Sequence, residues 1–203
     1  TSGAAVHNHQ VERGHGTFVY ESALRAPLIV RWPGVHPRRV PDLVQIIDIA
    51  PTVLDLEGLP GPPMEGVSLS GVLRGRRGEP RDRIAYAESM YPLQYGWSAL
   101  RTVREGRFKF IEAPRPELYD LESDPDEARN LHDTQPAASA RLLTLIRTFG
   151  PAELSASPPG DDAARERLAA LGYAGSRRSP GPPSAPAVLP DPKDMIGAYN
   201  EIV

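Results

Sequence analysis

The sequence contains no cysteine. Disulfides, thiolate chemistry and Cys-ligated zinc are therefore excluded, and the usual clue to redox compartment is missing. No apolar run approaches the roughly 20 residues that a membrane-spanning helix needs. Nor is there an excess of one charge: 23 basic and 26 acidic residues leave a net charge of −3. A nucleic-acid or membrane-surface binder driven by its overall field is not expected from that balance. Arg38-Arg39 and Arg74-Gly75-Arg76-Arg77 are too short to track a phosphate backbone and read as solvated loop charge. No initiating Met, signal-peptide pattern or internal repeat is visible. The chain opens on Thr1-Ser2 and stops inside a helical pattern at Val203. We therefore expect a segment of a longer protein.

What is present suffices for one or two domains in 203 residues, with 23 prolines and 18 glycines, many of them after residue 150. Residues 1–14 lack periodicity and read as loop. Leu28 to Trp32 reads as a short strand closed by Pro33-Gly34, its unbroken apolar character suggesting burial on both faces in a parallel sheet. A buried helix follows, with Asp48 as N-cap, Pro51 in the first turn, Ile49, Val53 and Leu56 on one face, and Gly58 as the stop. Asp48 and Asp55 invite a catalytic-pair reading, but capping and solvent exposure account for both. A second short helix is capped by Ser68 and stopped by Gly75.

Past residue 80 the pattern changes. The segments 83–89, 98–105, 107–113 and 117–121 have period-two character and are separated by turn signals, with Glu105-Gly106 at a tight hairpin. These predict a small antiparallel sheet of three or four strands, with Phe108 and Phe110 on one face and Lys109 and Ile111 on the other. A helix at 135–149 should cover that sheet with Ala138, Leu142, Leu145, Ile146 and Phe149, capped by Thr134 and ended by Gly150. A short helix at 163–171 and a Pro/Ser/Gly linker at 175–190 come next. Asp191 and Pro192 then open a last helix whose apolar face (Met195, Ile196, Tyr199, Ile202) has no evident surface left to pack on.

Taken in order, several motifs resemble the C-terminal half of a sulfatase of the alkaline-phosphatase-like superfamily. They are His15-Gly16-x-Phe18-x-Tyr20-Glu21-x-x-Leu24-Arg25-x-Pro27, Asp48-Ile-Ala-Pro-Thr52, Gly66-x-Ser68-Leu69, Glu88 with Tyr95-Gly-Trp97-Ser98, Arg107-x-Lys109-Phe-Ile111, Pro116-Glu-Leu-Tyr-Asp-Leu121, and Asp124-Pro125 with Glu127 and Asn130-Leu131. The resemblance covers about residues 1–150. The tail from Arg167 is similar to sulfatase-like proteins that continue into tetratricopeptide repeats. This resemblance implies an α/β fold. Residues 1–80 would belong to its core, 81–150 would form the small antiparallel sheet with its packed helix, 151–190 a short helix and linker, and 191–203 the start of a helical extension.

Such a family hydrolyses sulfate esters. The resemblance implies a hydrated formylglycine that attacks sulfur, a divalent cation (calcium foremost), and Lys and His side chains that neutralise the sulfate. Formylglycine and the metal's aspartates would lie upstream, so no metal ligand is assigned within this chain. His7 and His9 are the alternative ligands, although calcium prefers oxygen. His15 falls where the family places a sulfate-contacting Lys or His, able to donate a hydrogen bond or protonate a leaving alkoxide. A loop histidine with no role is the plainer reading. Gly16 would permit close approach of ligand or backbone. Tyr95 and Trp97 can line the mouth of a substrate pocket or simply pack a hairpin.

The expected substrate is a sulfated small molecule or glycan, and a protein partner at the helical tail is conceivable. The family suggests a periplasmic or secreted location. Two rival readings remain at this point. One is a hydrolase or transferase of the same superfamily acting on phosphodiesters, phosphonates or phosphoethanolamine. The other is a non-catalytic relic serving as an interaction module, because Gly3-Ala4 stand where the metal ligands would be.

Overall fold

The computed structural model describes residues 16–75, 83–150 and 189–202. Its organising element is a four-stranded antiparallel sheet in the order β1 (Ile84–Ser89), β2 (Leu100–Glu105), β3 (Phe108–Glu112) and β4 (Glu117–Asp120). The alternating residues of 84–120 form this up-and-down sheet because each connection is local. β2 and β3 are joined by Gly106-Arg107 alone, with Glu105 paired to Phe108. Gly106 supplies the positive φ of 58° that a two-residue hairpin of this twist needs.

Both faces of the sheet are buried. Val103, Phe110 and Leu118 point to one side and meet Leu142 and Ile146 of the helix Pro136–Arg147. That helix also offers Ala138 and Leu145 at helical spacing, as its periodicity predicts. Thr134 is not its cap: Gln135 holds that position and makes no side-chain capping bond, while the Thr134 hydroxyl donates to Leu131 O. Phe149, beyond the helix end, stacks on Tyr86 with ring centroids 4.4 Å apart.

The opposite face carries Leu100, Ile111 and Tyr119. Two segments far apart in the chain cover it: Phe18-Val19-Tyr20, and Ile196 of the helix Pro192–Ile202. This corrects the expectation that the last helix has nothing to pack on. Ile196 and the Phe18–Tyr20 segment together keep water from the Ile111–Tyr119 strip, and burying it supplies the driving force. Asp191 starts the helix as predicted, its carboxylate accepting from Lys193 N at 3.0 Å and Arg115 N at 3.1 Å. Pro190 O and Leu189 O accept from the backbone and hydroxyl of Ser98, which lashes the approach segment to the sheet.

The N-terminal half departs most from expectation. Residues 28–32 are not a strand, and Ile29 is 89% exposed. Among the described residues no strand lies beside them, so the extended backbone has no ladder to join. The helix Ile49–Glu57 forms where predicted and ends on Gly58 in the left-handed region, but Ile49 and Val53 face solvent. Its anchors are polar. Thr52 is buried, donates to Asp48 O at 2.5 Å and accepts from Leu69 N at 2.8 Å. Asp55 accepts from the hydroxyls of Ser68 and Ser70, which fixes the short helix Ser70–Leu73.

Asp48 is likewise not a solvent-exposed cap; it is wholly buried. Its two oxygens accept from the Arg83 guanidinium at 2.7 and 2.6 Å, and from the N–H groups of Gln45 at 2.8 Å and Val67 at 2.9 Å. Burial opposes the charge, but Arg83 and the two backbone donors outweigh it and hold the carboxyl below its ordinary range. Gly66 sits so close to this turn that a Cβ there would overlap the carbonyl of Ile47. The Gly66-x-Ser68-Leu69 motif is thus a backbone crossing followed by two anchoring bonds. The predicted short helix at 163–171 and residues 175–188 of the predicted linker lie outside the described residues, as do His7 and His9.

Candidate functional site

The sequence points to His15, Gly16, Tyr95 and Trp97, and the structure describes the last three. His15 lies outside the described residues. Gly16 has φ of 109°, open space where a Cβ would stand, and a carbonyl that accepts from the Ser89 hydroxyl. Ser89 is the final residue of β1, so Gly16 is tied to the end of the sheet from which the aromatic turn departs. The positive φ favours glycine at this position, while no described atom approaches the place of a Cβ.

That turn is the single-turn helix Tyr91–Tyr95, closed by Gly96 at φ of 73°. It brings Tyr95 onto Trp97, with centroids 5.0 Å apart, and Tyr91 edge-on to Tyr95 at 5.4 Å. The two tyrosine hydroxyls are 2.9 Å apart. Trp97 is buried, whereas Tyr95 is 38% exposed. Trp97 therefore packs the turn, and Tyr95 stays partly open to solvent with its hydroxyl paired to that of Tyr91. Gly16 and the aromatic cluster share Ser89 as a neighbour, by a hydrogen bond in one case and by chain continuity in the other.

A second constellation was not picked out from sequence. Lys109 is almost completely buried, and its ammonium lies 2.8 Å from Glu127 and 3.1 Å from Glu21. Arg104 closes the group at 3.4 Å from Glu21. The Glu21 N–H also donates to Glu127 at 2.6 Å. Burial pushes the Glu127 carboxyl up and the ammonium opposes that shift. Glu127 has φ of 53°, the one non-glycine residue with positive φ among those described. Glu21, Lys109 and Glu127 stand in the quoted motifs, but sequence alone could not bring Glu21 to partners 88 and 106 positions away.

Nearby, the Tyr20 hydroxyl donates to Glu117 at 2.9 Å. Tyr119, desolvated and close to Glu117, has its phenol pushed well above the usual range. Among the described residues no group of three or more His, Asp or Glu side chains is arranged to hold a metal ion.

The described residues thus form a four-stranded antiparallel sheet covered by a helix on one face and by two distant segments on the other. The profile of the N-sulphoglucosamine sulphohydrolase C-terminal family matches residues 15–145, and the chain belongs to that family. It is 28% identical over 142 residues to mouse arylsulfatase K, covering 64% of this chain and 26% of the relative. It is 31% identical over 137 residues to a Δ4,5-hexuronate-2-O-sulfatase of Bacteroides thetaiotaomicron, covering 64% and 28%. The solved phosphonate monoester hydrolase of Silicibacter pomeroyi aligns with a TM-score of 0.52 at 28% identity, over 66% of this chain and 30% of the other. The chain thus spans about a quarter of the length of the curated relatives it matches.

Proposed function

We propose that this chain forms the C-terminal part of a sulfate-ester hydrolase, supplying one sulfate-contacting imidazole to a site whose formylglycine and divalent cation lie upstream. The family match over residues 15–145 carries this reading. The exposed Leu28, Ile29, Ile46, Ile47, Ile49 and Val53 support it, because they are large apolar side chains that a further α/β layer would cover. In this reading His15 donates to a sulfate oxygen or protonates the leaving alkoxide. Gly16 lets the ester approach the backbone, and Tyr95 offers its exposed ring to the leaving group, consistent with a sugar.

The arylsulfatase and hexuronate-sulfatase relatives favour a sulfated sugar or aryl ester as substrate. A second reading, hydrolysis of phosphonate monoesters, is favoured by the Silicibacter neighbour. One experiment tests both. The full-length polypeptide carrying this chain is assayed on an aryl sulfate, on sulfated disaccharides and on an aryl phosphonate monoester. Sulfate-ester turnover that falls about 100-fold or more in His15→Ala supports the first reading. Preference for the phosphonate supports the second. Sulfatase activity indifferent to His15→Ala overturns the role given to the imidazole.

A further inference from the structure

We propose that Arg38, Arg39 and Arg74 form a surface site for the sulfate groups of a glycan chain, separate from the residues assigned to the reacting ester. The choice of sulfate rests on the reading given above. The site itself rests on how the fold places these arginines.

Two stretches of the chain have no acidic residue. Residues 22–41 contain Arg25, Arg31, Arg38 and Arg39 without Asp or Glu, and residues 66–78 contain Arg74, Arg76 and Arg77 without either. Arg76 and Arg77 lie outside the described residues. The fold joins the two stretches. Arg38 Nη1 donates to Val72 O at 3.0 Å, on the short helix Ser70–Leu73, and Arg74 follows that helix directly. Gly75 is in the left-handed region at φ of 81°, and a Cβ there would stand 3.0 Å from Arg38 Nη1. Its missing side chain leaves room for the guanidinium. Solvated loop charge explains each arginine cluster taken alone, but not the fixing of Arg38 where the two acid-free stretches touch.

This patch also lacks counter-charges. Arg83, Arg101, Arg104, Arg107, Arg115 and Arg141 each meet a carboxylate. Arg38, Arg39 and Arg74 are exposed and meet none among the described residues. A protein of net charge −3 thus concentrates positive charge at one place, and such a patch attracts anions locally. The bond to Val72 O prepares Arg38 for its ligand. It engages one of the five guanidinium N–H groups, and the rest remain as a planar fork suited to two oxygens of one oxyanion. A side chain already held at one end loses less freedom on binding. A DNA duplex is the poorer match, because its binders typically neutralise about 6–10 phosphates along an extended track. The sulfates of a short run of sugar units fit three guanidinium groups better.

The test measures binding of a fluorescently labelled heparin octasaccharide to the full-length polypeptide by anisotropy at low ionic strength. We expect Arg38→Ala/Arg74→Ala to bind about tenfold or more weakly, and Arg74→Ala alone about two- to fivefold. The loss should shrink as salt is raised. Arg38→Lys keeps the charge without the fork and should fall between wild type and the double variant. Arg129→Ala is the control, since Arg129 is exposed on the loop after β4 and likewise meets no carboxylate among the described residues. All variants should retain the wild-type kcat/KM on an aryl sulfate. Unchanged affinity in the double variant overturns the inference, and so does an equal loss in Arg129→Ala. A DNA duplex held as tightly as the octasaccharide by the same arginines overturns the assignment to a glycan. A parallel fall in kcat/KM on the aryl sulfate overturns the separateness of the site. The Arg74 side chain makes no hydrogen bond among the described residues, so Arg74→Ala still reads the site where Arg38→Ala loosens the helix. Glycan binding that needs Arg38 and Arg74, in a polypeptide without sulfatase turnover, upholds the site while the reading above fails.

Discussion

Replacing Asp48 by Asn tests the buried anchor of the N-terminal half with almost no change of shape. The carboxylate accepts four hydrogen bonds, two from Arg83 and one each from Gln45 and Val67. An amide offers one oxygen and turns an NH2 toward donors, so at least one N–H loses its acceptor and a mostly buried guanidinium loses its counter-charge. Breaking a buried pair by removing one charge costs about 3–5 kcal/mol. With a urea m-value of about 2 kcal/mol/M, the midpoint should fall by roughly 1.5–2.5 M at neutral pH, with m unchanged.

The pH dependence is a second arm of that experiment. The Asp48 carboxyl is held below its ordinary range in the folded chain, so its contribution is complete above the unfolded value near 3.8. It disappears as the pH drops through the folded value. The wild-type and Asp48→Asn stabilities should therefore converge in acid and stay apart from about pH 5 upward. A midpoint shift under about 0.5 M at pH 7, or a gap that widens in acid, would refute the assignment of Asp48 as the ionic anchor.

Three further outcomes follow from the packing. Leu142→Ala empties a fully buried position between helix and sheet and should cost about 2–5 kcal/mol, read by urea denaturation. Gly66→Ala forces a Cβ into Ile47 O, and should disorder the 45–72 region, seen as proteolysis there while the β-sheet amides remain protected. Ile29→Ser should change the stability of this chain by less than about 0.5 kcal/mol because the side chain is 89% exposed, yet it should destabilise the full-length polypeptide, where the proposed further layer covers it, a difference read by urea denaturation of both.

The sheet was legible because its signals are local. Alternation in 84–120, the Glu105-Gly106 turn and the Leu142/Ile146 stripe each need only neighbours in sequence, and each element lies where those signals put it. The 28–32 run misled because apolar continuity reports demand for burial, and a strand forms only where another offers its backbone. The helix at 49–57 was correctly bounded by Gly58, yet its fixed face is the polar one carrying Thr52 and Asp55. Asp48 looked like a cap because the sequence next to it does not contain Arg83. Lys109 read only as a partner of Ile111 on the face opposite Phe108 and Phe110, because a buried ammonium and a solvated one look identical until Glu21 and Glu127 are brought to it. Of the candidate site, Gly16 was marked by the His-Gly step and Trp97 by its aromatic character. The role of Ser89 in holding Gly16 carried no signal at all.

The sheet's two faces differ in how soon they can be sealed. The Phe110 side closes with a helix that follows within a few dozen residues, so it can collapse while the rest of the polypeptide is still unstructured. The Ile111–Tyr119 side waits for one segment from far before it and another from far after it. Cutting the chain ahead of Pro192 would therefore do more than trim a tail. It would take one of two roof beams from an already folded floor, leaving part of an apolar strip open to self-association.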